Sequence, residues 1–419
     1  MAQTSASHPR DVQTVRRGAP CPVCRSAATV ELFGDRMVPK YNLERHLTRE
    51  AALQAPRGVL DFRFCTTCQF AFNAAFDQAE MDYAVDYEAS RSSSTCFLDY
   101  LDRLCEELNA IWAIGGKRIV EVGCGDGQFL LSLRRNYQFH GYGFDPSFSM
   151  GRIANAFEDV QFVRGYYRPD ALSVAPDVVI LRHILEHQRD PQTFLSRVLP
   201  RAHPGVRVYI EVPAWEWIVD HLQIQAFSYE HCSYYSKLAI QHALERCGVA
   251  VEKVTYGFAD EYLQYYGCGG SSPRPERHPP SDASIGLIQR TEAFRRIIPR
   301  LVDAVREALI SRYADAVLWG AAGKGTTLLN VVGLDYTALE YVVDSNPRRH
   351  GTYIPCTGQQ VVAPEFLTRL NPKQVLLTNP LYTSEIAAQL RDLGLHPGVM
   401  TIDDLIRQAA DALKTSCEP

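Results

Sequence analysis

The sequence contains no run of about eighteen or more apolar residues, so no membrane-spanning helix is expected from it. Its first residues, Met1 to His8, lack the basic-then-apolar layout of a secretory leader and read as a short flexible lead. Low-complexity blocks are missing too. So is an excess of basic charge: 43 Lys and Arg stand against 48 Asp and Glu, a formal net charge of −5. That balance excludes a protein whose main task is to grip a nucleic-acid backbone, and leaves room for a substrate that carries a phosphate or two. A disulfide framework is not indicated either. Four of the 12 cysteines fall in two tight pairs, and the others are scattered in apolar or helical contexts. Without an export signal this reads as a metal site plus free thiols, with the cytoplasm as the expected compartment.

What is present is ample apolar material, 46% of 419 residues, enough for two or three domains. The first region, residues 1–76, holds Cys21-Pro-Val-Cys24 and Cys65-Thr-Thr-Cys68. Each CxxC can turn two sulfurs toward one ion, and Cys21, Cys24, Cys65 and Cys68 together supply the four thiolates of a closed, structural zinc site. Unrelated cysteines or a redox CxxC are the alternatives. Residues 77–268 alternate short apolar strands (118–122, 140–144, 160–163, 178–181, 206–212) with helical stretches (97–111, 129–136, 193–198), the pattern of a parallel sheet wrapped by helices. Residues 269–285 are dominated at first by Gly, Pro and Ser and read as a linker. From 286 to 419 the design recurs: a helix over 287–312, strand 316–319, the turn Gly320-Ala-Ala-Gly-Lys-Gly325, and strands 339–343 and 375–378. The expected class is α/β: a central Rossmann-like domain between a small zinc-binding domain and a second Rossmann-like domain.

The sharpest motif is Glu121-Val-Gly123-Cys-Gly125-Asp-Gly127, where a strand feeds directly into glycines and then a helix. Glycine lets the backbone turn sharply and approach a ligand with no Cβ in the way. Asp145 ends the next apolar strand, placed to accept hydrogen bonds from the hydroxyls of a ribose. A dinucleotide loop would need a glycine at position 128, where Gln128 stands. The spacing therefore points to S-adenosylmethionine (SAM), with Glu121, Gly123, Gly125, Gly127 and Asp145 as its binding residues. Downstream, Arg182-His-Ile-Leu-Glu-His187 follows an apolar strand, and His183 is a candidate active-site residue by position.

The order of paired CxxC knuckles, Tyr87-Glu-Ala-Ser90, the glycine loop, Tyr229-Glu-His231-Cys-Ser-Tyr-Tyr-Ser236 and Gly320-Ala-Ala-Gly-Lys-Gly-Thr-Thr resembles the sugar C-methyltransferases of deoxysugar biosynthesis over nearly the whole chain. Val-Val-Asp344-Ser-Asn-Pro and Gly351-Thr-Tyr-Ile-Pro355 resemble that family's C-terminal domain. The resemblance implies methylation of a nucleotide-linked keto-deoxysugar, in a natural-product pathway, at the carbon beside the ketone. Removing a proton there gives an enolate that attacks the methyl of SAM, which requires a base within reach and donors for the enolate oxygen. It implies His231 as that base, Glu230 orienting it, and Tyr87, with Ser90, near cofactor and substrate. Lys324 is a candidate to meet a pyrophosphate, although its loop is not a Walker motif, and a decayed nucleotide fold kept for packing is the equal alternative. The implied partner is a small molecule, with no nucleic acid and no membrane, and the oligomeric state is left open. The chain departs from the family's pattern at Ser228 and over Tyr256-Gly-Phe-Ala-Asp260-Glu-Tyr262. An O-, N- or C-methyltransferase of the same architecture acting on another small molecule is the alternative reading.

Overall fold

The computed structural model describes residues 18–81, 94–148, 157–199, 203–271 and 282–415. Among them three sheets form, and the chain visits them in an order that local spacing does not announce.

The N-terminal sheet is antiparallel: β1 (Thr29–Pro39), β2 (Arg57–Cys65) and β3 (Phe70–Asn73), with the short helix α1 (Arg49–Leu53) between the first two strands. Its fourth strand, β9 (Ser233–Tyr235), comes from the middle of the chain and pairs with β3, Phe70 opposite Tyr235. The first unit is thus completed by the segment that carries Glu230 and His231.

The central sheet contains β4 (Arg118–Val122), β5 (His140–Asp145), β6 (Val160–Arg164), β7 (Val178–Arg182), β8 (Arg207–Pro213), β10 (Val249–Gly257) and β11 (Tyr262–Gly269), in the order β10-β11-β8-β7-β4-β5-β6. Strands β6, β5, β4, β7 and β8 run parallel, as the alternation of strands and helices predicts. Strand β11 runs antiparallel to β8 and to β10, because a hairpin joins the last two strands without a crossover helix. The strand order reverses at β4, and that switch point opens a crevice at the carboxyl ends of the strands. Around the sheet lie α2 (Thr95–Trp112), α3 (Gln128–Asn136), α4 (Pro191–Val198), α5 (Trp215–Asp220) and α6 (Lys237–Glu245).

Helix α7 (Asp282–Ile310) begins before the sequence pattern places it and leads into the C-terminal unit. There β12 (Ala316–Trp319), β13 (Tyr341–Val343), β14 (Gln360–Val362), β15 (Gln374–Leu377) and β16 (Gly398–Thr401) form an all-parallel sheet in the order β14-β13-β12-β15-β16. Helices α8 (Lys324–Val332), α9 (Leu367–Leu370), α10 (Thr383–Asp392) and α11 (Ile402–Thr415) complete it. Its switch point is β12, directly before the second glycine loop.

One apolar core crosses all three units. Phe62 of β2, Tyr234 of β9, Trp215 of α5, Leu301 of α7 and Leu328 of α8 belong to the same buried cluster. Polar joints reinforce it: Glu385 of α10 accepts from the Cys96 amide at 2.8 Å, at the first turn of α2. No helix among the described residues is long and apolar enough to cross a membrane.

Candidate active site

The two CxxC pairs fold into matching knuckles. The amide of Arg25 donates to Cys21 O at 2.9 Å, and that of Gln69 to Cys65 O at 2.8 Å. Each of these closing residues is left-handed, with φ of 63° and 61°. The knuckles face each other with Cys21 Sγ 3.5 Å from Cys68 Sγ and Cys24 Sγ 3.5 Å from Cys65 Sγ. Four sulfurs within 4.8 Å of one another match the donor set of a tetrahedral zinc, closed to substrate. No disulfide competes, since all four cysteines are free.

The first glycine loop is built as its sequence predicts. Gly123, Gly125 and Gly127 have φ of 75°, 54° and 78°, where a side chain is strained. At Gly123 a Cβ would also stand 2.6 Å from Ile184 Cδ1. Gly125 donates its amide to Asp145 Oδ2 at 2.9 Å, while Oδ1 accepts from the Ser147 amide at 2.7 Å and its hydroxyl at 2.6 Å. Asp145 therefore locks the loop while lining the crevice. Glu121 is buried, and its Oε2 has no hydrogen-bond partner. Burial pushes its carboxyl up to about 8, against the pull of Arg182, with the charges of Asp126, Asp145 and Glu211 adding to the rise. An orphaned acid under a glycine loop suits a ligand that brings a cationic or N–H donor, which SAM does. Tyr87 and Ser90 lie outside the described residues.

Past β7 the chain turns through His183, itself left-handed at φ 52°. Its Nδ1 lies 3.2 Å from Glu186 Oε1, and its Nε2 is 3.0 Å from Glu211 Oε1 but out of line for a hydrogen bond. Burial opposes its charge, yet the two carboxylates outweigh burial and raise its pKa. The ring stands edge-on to Tyr262, centroids 4.5 Å apart. Beneath it, Glu211 is wholly buried and accepts from Arg182 Nη2 at 2.8 Å, from Tyr209 at 2.7 Å and from the hydroxyl of Tyr100. Its carboxyl is held far below the usual range; burial opposes this, and Arg182 and His183 overcome it.

His231 meets this cluster from β9's side. Its ring stands perpendicular to that of His187 at 4.9 Å, and Glu186, His187 and His231 each bring a polar atom within 4.8 Å of the others. Glu230 reaches elsewhere: its Oε1 accepts from the backbone of Asn42 at 2.8 Å. Asn42 in turn donates through Nδ2 to Thr327 Oγ1 of α8 at 3.0 Å, so this joint ties all three units together. The sequence reading did not single out Glu186, Glu211 or Asn42. The signals for the first two were a carboxylate between histidines and a lone charge inside the apolar strand Val-Tyr-Ile-Glu-Val.

The second glycine loop closes the opposite wall. Gly320, at φ 114°, packs so tightly that a Cβ would meet Thr378 Oγ1 at 2.0 Å. Asp344 accepts from Ala321 and Asn346 amides at 2.8 Å each, repeating the arrangement of Asp145. Lys324 pairs with Glu261 at 2.9 Å and lies over the Trp217 ring at 4.7 Å, so its charge is already held across the units. Tyr262 lines the crevice, whereas Asp260 is exposed and does not.

These walls enclose one cavity of about 1380 Å³, reaching from Asp145 past His183 and His231 to Lys324 and Asp344. A single small-ligand site usually occupies about 300–1,000 Å³, so there is space for a cofactor and a second molecule side by side.

Comparison with known proteins agrees with this arrangement. Residues 97–254 match the model of a methyltransferase domain, and residues 284–401 match that of the C-methyltransferase C-terminal domain. No curated protein matches the chain. Similar solved structures include magnesium protoporphyrin IX methyltransferase from Synechocystis, 15% identical, covering 42% of this chain and 84% of its own, with TM-score 0.34. A SAM-dependent methyltransferase from Aquifex aeolicus is 16% identical, covering 42% and 94%, with TM-score 0.31. Mitomycin 7-O-methyltransferase is 14% identical, covering 41% and 54%, with TM-score 0.34. Likenesses this partial carry no weight on substrate.

Proposed function

The chain is a SAM-dependent methyltransferase with a C-methyltransferase C-terminal domain, and from that premise we propose that it methylates a nucleotide-linked keto-deoxysugar at the carbon beside the ketone. The observation that carries this reading is the shared cavity, which joins the first glycine loop, the His183–Glu186–His187–His231 cluster and the second glycine loop. Glu121, Gly123, Gly125, Gly127 and Asp145 hold the cofactor, with Tyr87 and Ser90 beside it as the sequence resemblance implies. Bound SAM supplies an electrophilic methyl group.

His231 is the base. Its imidazole takes the proton from the carbon, the C–H pair moves to make the enolate, and the carbonyl oxygen gains the negative charge. The carbanion end would then take the methyl group that bound SAM supplies, the S–C bonding pair leaving with the thioether product. Against the burial that opposes its charge, Glu186 and Glu211 bias His183 toward its protonated form, which would supply positive potential near the developing oxygen. Glu230 fixes the loop that bears the base by its bond to Asn42. The zinc knuckles have no part in the chemistry; they anchor β3, on which β9 and therefore His231 are hung.

Replacing His231 by Gln is expected to lower turnover of a thymidine-diphosphate 4-keto-6-deoxyhexose by about 10²- to 10⁴-fold with SAM binding intact. Turnover near the wild-type rate would remove His231 from the role of base. Wild-type protein without SAM should also exchange the proton beside the ketone with heavy water.

A further inference from the structure

We propose that Glu186 is the positioning carboxylate of the base, holding His231 in place and strengthening it, while Glu230 serves the joint to the N-terminal unit. The inference rests on the reading of His231 as base given above.

Sequence adjacency favours Glu230 as the partner of His231, but the fold gives each carboxylate a different setting. Glu230 Oε1 is taken up by the Asn42 amide at 2.8 Å, and Asn42 continues to Thr327. Glu186 makes no such joint between the units; its bond is to His183 within the same segment. It sits in the single turn Leu185–His187 after β7, fully excluded from solvent-accessible surface. Its Oε1 faces His183 Nδ1 at 3.2 Å, and its Oε2 has no hydrogen-bond partner. A buried carboxylate oxygen left without a donor is costly, and a site tolerates it where a proton is to arrive. Here the groups at hand are imidazoles: one polar atom each of Glu186, His187 and His231 lies within 4.8 Å of the others, and His183 completes the surround.

Among the described residues, the groups that face His231 include Glu186 and His187 from the turn after β7, and Glu230 and Tyr234 from its own segment, with His183 beyond Glu186. Among these only the two glutamates can stabilise an imidazolium. Uptake of the substrate proton by His231 would give Glu186 the donor it lacks. At a separation near 5 Å and an effective dielectric of about 25–50, one charge moves a neighbour's titration by roughly one to two pH units.

The test is the titration midpoint of the His231 ring, followed by NMR on histidine-labelled full-length protein, with His231→Gln assigning the signal. Glu186→Gln is predicted to lower that midpoint by about one to two units, and Glu230→Gln to move it far less. In turnover of the keto-deoxyhexose, Glu186→Gln should lower kcat and displace the acidic limb of the pH profile downward, with KM for SAM unchanged. SAM calorimetry checks that the variant is folded. If it is not, Glu186→Asp, which withdraws the charge by one methylene, should lower the midpoint by a few tenths of a unit where Glu230→Asp does not. The opposite ranking of the two glutamates overturns the proposal. So does one equivalent of divalent cation bound by the wild type and lost in Glu186→Gln, because His231 would then be a ligand. The midpoint needs no substrate, so a failed sugar assignment would show separately, as normal midpoints without exchange at the sugar carbon.

Discussion

Gly123→Ala gives the most direct physical test of the cofactor loop. At φ 75° an alanine pays for left-handed backbone, on the order of 1–2 kcal/mol. Its Cβ would lie 2.6 Å from Ile184 Cδ1, about 1 Å inside ordinary carbon contact. That methyl is the far end of a side chain and can swing, so the steric part is partly relieved, to a total of about 1–3 kcal/mol. If the loop must hold this form to bind SAM, the cost appears in affinity, as roughly a five- to hundredfold rise in Kd at 1.4 kcal/mol per factor of ten. Calorimetry with SAM measures it. The double variant Gly123→Ala with Ile184→Ala should recover the steric share and leave the backbone share. Gly115→Ala is the control, since Gly115 has no atom within 4 Å of an added Cβ and no positive φ. A Gly123→Ala protein that binds SAM within twofold of wild type would refute the role given to the loop.

Two further outcomes are expected. Cys21→Ser should lose the bound zinc and lower Tm, read by metal analysis and thermal scanning, because three thiolates leave the tetrahedron open; full metal content in the variant would exclude the four-sulfur site. For Glu121, burial raises the carboxyl to about 8, so the folded chain keeps this proton where the unfolded chain, titrating near about 4.3, has lost it. Its contribution to stability therefore falls as pH rises from about 4.3 to about 8, and Glu121→Gln should flatten the decline of Tm across that range. An unchanged slope in the variant would show that Glu121 is not the group responsible.

Much of the fold is legible in the sequence because it is local. The strands at Arg118–Val122 and Ala316–Trp319 stand where their apolar runs end in glycine, and the strand order of the central and C-terminal sheets reverses at those strands. Positive φ at Gly123, Gly125 and Gly127 is likewise written in residue type. What local pattern cannot carry is pairing over distance. Nothing near Ser233–Tyr235 announces that it joins β3, more than 150 residues earlier. The same limit explains the carboxylates: Glu230 stands beside His231 in sequence, and only the folded chain shows Asn42 taking its oxygen and Glu186 arriving from another segment. The hairpin that sets β11 antiparallel lies in residues whose apolar character suits either direction.

The central claim is transfer to carbon. Protein incubated with SAM bearing a carbon-13 methyl group and a thymidine-diphosphate 4-keto-6-deoxyhexose should yield a product whose labelled methyl couples to the ring carbon beside the ketone. A labelled methyl found on oxygen or nitrogen, or no transfer to this sugar while SAM binds, would contradict it.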